Sequence, residues 1–110
     1  MDTITFEDFK RVEIRIGKIL AAEKVANADK LLKLQIDFGS EVGQRQIVSG
    51  IAESFTPEDL VGKQLPFIVN LEYRKFKGEE SQGMLMAIDA GEKTVLLQPS
   101  EEVISGTEVV

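Results

Sequence analysis

Leu31-Leu32-Lys33-Leu34-Gln35-Ile36-Asp37-Phe38 alternates apolar and polar side chains without a break from Leu32 onward. A period of two is the pattern of a β-strand with one buried face, here Leu32, Leu34, Ile36 and Phe38, and one polar face, Lys33, Gln35 and Asp37. Such strands belong to antiparallel sheets that keep one side wet. On the N-terminal side, Asn27-Ala28-Asp29-Lys30 reads as a turn, because Asn and Asp side chains bond their own backbone there. Before the turn, Arg11 to Leu20 alternates again. Val12, Ile14 and Ile16 are expected on the buried face, with Arg11, Glu13 and Arg15 opposite. Gly17 interrupts this strand and suits a bulge or a sharp barrel bend, and Leu20 to Val25 continues it less regularly. On the C-terminal side, Gly39 to Gly43 turns the chain into a third strand, Arg45 to Ile51.

The remaining elements are shorter. Thr5 is placed to cap a helical turn with Asp8 in the box position, and Phe6 and Phe9 share its face, where core packing is expected. Thr56-Pro57-Glu58-Asp59-Leu60 is a second helix start, with a cap, proline at the first position and acids in the first turn. Gln64 to Leu71 is predicted as a fourth strand, Gly83 to Ile88 as a fifth and Thr94 to Gln98 as one more. Three strands, a short helical connection and further strands suit an all-β fold: a five-stranded Greek-key barrel of the OB type with a C-terminal β extension. A β-sandwich accepts the same string. The chain is expected to be one domain over residues 1–110, with the barrel at about 10–90 and the extension at about 91–110.

Composition excludes several chemistries. The chain has 110 residues with no cysteine and no histidine. It therefore has no disulfide framework, no thiolate, and neither the commonest general base nor the commonest metal ligand. No Gly-rich phosphate loop follows a strand, and pairs such as Glu79-Glu80 lack a partner base, so a non-catalytic module without metal or cofactor is expected. No apolar run is long enough to span a membrane, and the N-terminus lacks a signal-peptide pattern, which predicts a cytoplasmic protein. Net charge is −6, but residues 79–110 hold seven acids against the single base Lys93. The first 78 residues balance twelve acids with twelve bases. They can still present a basic face, and phosphate binding follows local potential.

The stretch Val69 to Ala87 concentrates the candidate binding chemistry. An apolar strand ends at Asn70-Leu71, a loop carries Arg74, Lys75 and Lys77, and Ser81-Gln82-Gly83 leads into the next strand. Loops held by rigid strands are where binding residues gather; a solvated hairpin with ordinary lysines is the plain alternative. Arg74 and Lys75 are the best phosphate candidates. Ser81 can donate a hydroxyl to phosphate, and Met84 can lie against an exposed base. Asn70 can read a base edge or a 2′-OH, or fix the loop by an internal hydrogen bond. Lys33 and Arg45 lie on strands, as phosphate contacts or as sheet-surface ion pairs, and Lys30 stands at the turn between the first two strands.

Four blocks now stand in order: Asn27-Ala28-Asp29-Lys30-Leu31, Arg45-Gln46-Ile47-Val48-Ser49-Gly50-Ile51-Ala52, Asn70-Leu71 with Arg74-Lys75 and Gly78, and Ser81-Gln82-Gly83-Met84. Together they resemble the tRNA-binding domain family, over nearly the whole chain from about Phe6 to Val109. Members occur at the C-terminus of methionyl-tRNA synthetases, as a separate synthetase beta subunit, and as stand-alone tRNA-binding proteins. The resemblance implies an OB fold with a C-terminal extension, a homodimer, and tRNA held by its shape through Lys30, Lys33, Arg45, Asn70, Arg74, Lys75, Ser81 and Met84. It also implies partnership with a methionyl-tRNA synthetase catalytic domain. Two departures stand out. Val25-Ala26 replaces the common His-Pro, and Glu72-Tyr73 replaces the usual Lys-Pro.

The tail supplies an expectation of its own. Five strands already close a small barrel, so the apolar residues of 94–110 are surplus to it, and a surplus apolar patch marks an interface. A homodimer is predicted through Leu96, Val103, Ile104 and Val109, joined by the Phe6/Phe9 segment. Two other readings compete with tRNA binding: a peptide-binding export chaperone, and a purely structural dimerisation module.

Overall fold

The computed structural model describes all 110 residues. Its centre is a long strand, β1 (Ile14–Val25), that serves two neighbours. Ile14 to Lys18 pair antiparallel with β4 (Gln64–Ile68), and Lys18 to Val25 pair with β2 (Ala28–Asp37). One strand can do this because it bends. Gly17 faces the interior, where a side chain would come within 2.4 Å of Ile36 and 2.6 Å of Phe38. The register then slips between Ile19 and Ala21. Strand β3 (Gln44–Ser49) flanks β2, and β7 (Met84–Leu85) flanks β4, so the five-stranded order is β3-β2-β1-β4-β7.

The two outer strands are brought together by the residues just before β7. The Gln82 amide donates to the Gln46 carbonyl at 2.8 Å, and Gln82 Oε1 accepts from the Gln46 amide at 2.9 Å. Ser81 Oγ accepts from the Val48 amide at 3.0 Å. The sheet thereby closes as a five-stranded antiparallel barrel of the OB type. Its interior holds the alternating residues of β2 as expected: Leu32, Leu34, Ile36 and Phe38 are buried with Ile19, Ile47, Leu65, Phe67 and Leu85. Phe38 and Phe67 meet edge to face, with ring centroids 5.4 Å apart, a geometry that aligns ring edge with ring face.

The helical turns form where their caps stand. Helix α1 (Phe6–Lys10) starts with Thr5 Oγ1 accepting from the Asp8 amide at 3.1 Å. Helix α2 (Gly39–Val42) is the single turn between β2 and β3. Helix α3 (Pro57–Leu60) follows β3, with Asp59 Oδ2 accepting from the Thr56 amide at 2.9 Å, and it buries Leu60 against the barrel floor.

Several expectations are corrected. Phe6 and Phe9 do not pack in the core; both are exposed, because no strand passes beneath α1. Val12 lies outside β1 and is exposed. Ile14 and Ile16 are buried, but on the barrel's outer surface beneath the chain's end. There Ile16 donates its amide to the Thr107 carbonyl, Gly106 donates to the Ile16 carbonyl, and Val109 donates to the Ile14 carbonyl. Gly106 permits this approach: its φ is +92°, and any side chain would collide with the Phe38 carbonyl. The fourth strand stops at Ile68. The predicted fifth strand splits, with Met84–Leu85 pairing with β4 and Ala87–Asp89 (β8) pairing with β9 (Thr94–Leu96). The predicted cationic loop is a β-hairpin, β5 (Arg74–Phe76) and β6 (Glu79–Ser81). Lys77 and Gly78 join its strands, both at positive φ, which is the backbone of a two-residue primed turn.

Candidate nucleic-acid interface

The β5–β6 hairpin is an arm clamped to the outside of the barrel. Gln46 Nε2 donates to the Glu80 carbonyl at 2.9 Å, and Lys33 Nζ meets Glu79 at 2.8 Å. Arg45 Nη1 donates to the Val69 carbonyl at 2.8 Å and to the Gln82 carbonyl at 3.0 Å, tying together both ends of the excursion. These contacts hold the arm's cations at fixed positions relative to β2 and β3.

The predicted residues divide by what they already hold. Lys33 is sandwiched between Glu23 at 2.9 Å and Glu79 at 2.8 Å. Its hydrogen bonds to Glu79 and Glu23 hold the ammonium above its usual range, and its charge is spent within the molecule. Arg45 is bound to backbone carbonyls and lies 5.7 Å from the Tyr73 ring centroid. Asn70 is held at both polar atoms: its Oδ1 accepts from the Glu13 amide at 2.8 Å and its Nδ2 donates to the Arg11 carbonyl at 2.6 Å. It fixes the entry to β1 rather than the loop that follows it. Ser81 is buried, accepting from Val48 and donating to the Gly83 carbonyl at 3.0 Å.

The free groups are on the arm and at the first turn. Lys30, Arg74, Lys75 and Lys77 are exposed, and none has a carboxylate within ion-pairing distance. Arg74 and Phe76 share one face of β5, with the guanidinium 4.8 Å from the ring centroid, a cation–π contact that holds the cation in place. Met84 is exposed beside them. Arg74 and Met84 therefore line one cavity and Lys75 follows Arg74 on β5, whereas Lys33, Arg45 and Ser81 support the arm and Asn70 holds the entry to β1. A cavity of about 60 Å³ opens at the arm's root, with Leu71, Phe76 and Met84 in its walls and Glu72 at its lining. Glu72 and Phe76 were not among the residues singled out for binding. The spacing of two between Arg74 and Phe76 is the one sequence feature that places them side by side.

The tail residues divide similarly. Leu96 is half-buried against the barrel's own core. Val103 is half-buried, its amide donating to Gln64 Oε1 at 3.0 Å. Ile104 is 83% exposed and Val109 39%. A second, apolar cavity of about 400 Å³ lies between the tail and the outer surface of β1 and β4, lined by Ile14, Ile16, Pro66, Leu97, Val103 and Val109 among others.

Comparison with known proteins matches this architecture. Residues 14–108 match the family model described as "Putative tRNA binding domain". A methionine–tRNA ligase of Archaeoglobus fulgidus is 53% identical over 108 residues, covering 98% of this chain and 16% of the ligase. The ligase of Thermotoga maritima is 49% identical over 108 residues, again 98% of this chain and 17% of that protein. The chain thus spans about a sixth of the length of these relatives. Among solved structures, the methionyl-tRNA-synthetase-related protein of Pyrococcus horikoshii superposes with a TM-score of 0.92 at 40% identity, with all of both chains covered. The chaperone CsaA of Bacillus anthracis superposes with a TM-score of 0.89 at 33% identity, covering 99% of this chain and all of that one. The match to the ligases is confined to this one module. This chain belongs to the tRNA-binding domain family, as a non-catalytic OB-fold module.

Proposed function

We propose that this module binds tRNA by its outline and charge rather than by its anticodon, as an accessory domain or beta subunit of methionyl-tRNA synthetase. One observation carries the reading. Arg74, Lys75 and Lys77 stand free of carboxylates on an arm fastened to the barrel, while half-buried Lys33 nearby is neutralised by Glu23 and Glu79 and half-buried Arg45 is taken up by backbone carbonyls. Fixed cations at β-strand spacing suit a phosphate backbone, and each phosphate contact releases counterions. Only Tyr73 offers an exposed aromatic ring on the arm, so a stacking platform for a continuous single strand is absent there. Lys30 extends the basic surface at the β1–β2 turn.

The test is the double variant Arg74→Ala/Lys75→Ala. It is expected to weaken tRNA binding by about 1 kcal/mol per residue and to lower the salt slope by about two units, with thermal stability unchanged. An unchanged slope would remove the arm from the interface. Duplex DNA should compete poorly because it lacks the 2′-OH and the tRNA outline; equal competition would reduce the reading to charge attraction.

A second reading rests on a separate observation. The apolar cavity between the tail and the barrel, together with the likeness to a protein named as a chaperone, favours peptide binding. Labelled tRNA and an unfolded presequence, run against the protein on native gels, discriminate the two by which one shifts. In either case we propose a homodimer built on the exposed apolar residues of the tail and of α1.

A further inference from the structure

Tyr73 presents one open aromatic face at the root of the arm, and we propose that one unstacked nucleobase of the bound RNA lies on it. This inference rests on the tRNA-binding reading and deepens it. The chain holds the ring from behind. The Arg45 guanidinium lies over the ring, 5.7 Å from its centroid, within the range of a cation–π contact. Arg45 is itself fastened to the Val69 and Gln82 carbonyls at 2.8 and 3.0 Å. A cation fixed in this way fixes the ring in turn. Tyr73 is nonetheless 48% exposed, so the ring is open on the side away from Arg45. Covering such a ring with a flat partner removes apolar area from water and adds ring-on-ring contact.

The neighbours decide what that partner is. Arg74 and Lys75 follow Tyr73 directly, exposed and free of ion pairs. The three residues span at most about 7 Å of chain, so an occupant of the ring sits beside two cations. A flat ring carried on a phosphate backbone answers both features; a peptide aromatic answers only the first. Every base has a π-face, so such a platform accepts all four and selects against none. What it selects is a conformation. Bases inside a duplex are stacked on both sides and cannot reach a protein ring, whereas loops, bulges and ends offer bases that are splayed out. One ring takes one base, in keeping with the lack of a continuous platform. Tyr73 thereby adds to the arm's charge a requirement for an unstacked base next to the phosphates that Arg74 and Lys75 hold.

The ring is its own reporter, because Tyr73 is the only tyrosine and the chain has no tryptophan. With isotope-labelled tyrosine, every tyrosine ring signal belongs to this residue. The protein is titrated with a tRNA transcript and, separately, with inorganic polyphosphate, which has the charge without bases. The ring protons are expected to shift upfield with tRNA, under the ring current of a stacked base, and to stay in place with polyphosphate. Tyr73→Ser should weaken tRNA binding roughly tenfold, whereas Tyr73→Phe, which keeps the π-face, should hold it within about twofold. Neither change removes a phosphate contact, so the salt slope should stay that of the wild type. The same shift with polyphosphate, no shift with tRNA, or wild-type affinity in Tyr73→Ser overturns the stacking. So does a salt slope that falls in Tyr73→Ser, since the ring would then serve only to position the cations. If the ring stays still while tRNA binds with its full salt slope, the phosphate-binding arm survives and only this inference falls. An upfield shift with short single-stranded oligouridine in a protein that fails to bind tRNA would keep the stacking and sink the tRNA reading.

Discussion

Ser81 shows how one hydroxyl can be structural in a motif that reads as functional. Its Oγ is the partner of the buried Val48 amide and bonds the Gly83 carbonyl, so it ties the end of β6 to β3 where no ladder does. Ser81→Ala leaves that amide without a partner, and the cost of an unsatisfied buried donor is about 1–3 kcal/mol. Urea unfolding should show an unfolding free energy lower by that amount, through a lower midpoint with the slope unchanged; wild-type stability would mean that water replaces the hydroxyl. Asn70 behaves alike, since both of its polar atoms are held by backbone groups of Arg11 and Glu13. At these two positions the sequence displayed a polar residue at a loop edge, and only the fold shows that its side chain is already bonded to the backbone of distant residues. Arg74 and Lys75 were named as candidates from their place in a cation-rich loop, although Glu72, Glu79 and Glu80 stand close along the chain; that Lys33 is neutralised was not legible, because its two carboxylates come from β1 and β6.

Elements were legible where a period of two had one buried side. Strand β2 and the core face it presents follow directly from Leu32 to Phe38. Strand β1 misled because both of its surfaces are covered at its start: Gly17 faces the interior while Ile14 and Ile16 lie under the tail. The β5–β6 hairpin escaped because its strands are only three residues long and carry charge on both faces. Helix α3 was legible from its cap, and the cap has a pH signature. Backbone and side-chain hydrogen bonds from Thr56 hold the Asp59 carboxyl below its ordinary value of 3.8. A depressed carboxylate contributes stability that is present above the unfolded value and is lost as pH falls through the folded one. Asp59→Asn should therefore flatten the stability profile below about pH 4 and leave the profile above neutrality parallel to wild type. A profile of unchanged steepness between pH 4 and pH 2 would show that the cap does not titrate with folding.

At the scale of the whole molecule, two segments carry several exposed apolar residues each: the N-terminal one with Ile4, Phe6 and Phe9, and the tail with Val95, Leu97, Ile104, Val109 and Val110. If these pair across a two-fold axis, light scattering at micromolar concentration gives twice 12.2 kDa. Ile104→Glu is then expected to halve the mass and to weaken tRNA binding through lost avidity, and a wild-type mass of 12.2 kDa would refute the pairing. The backbone bonds between Ile14–Ile16 and Gly106–Val109 have a consequence of another kind. They join the first strand to residues about ninety positions later, as the Arg15 bond to the Gly106 carbonyl does across 91. Loop closure over such a span comes late and slowly. A ribosome that has made four-fifths of this module has therefore made a barrel whose opening strand is still bare along one edge, and strand edges in that condition recruit other chains. Pulse-labelled hydrogen exchange during refolding should find the Ile16 and Val109 amides protected together and last. Early protection of Ile16 alone would show that the edge is covered before the tail arrives. The module is thus vulnerable during synthesis, and the hazard ends only when its final residues zip against its first strand.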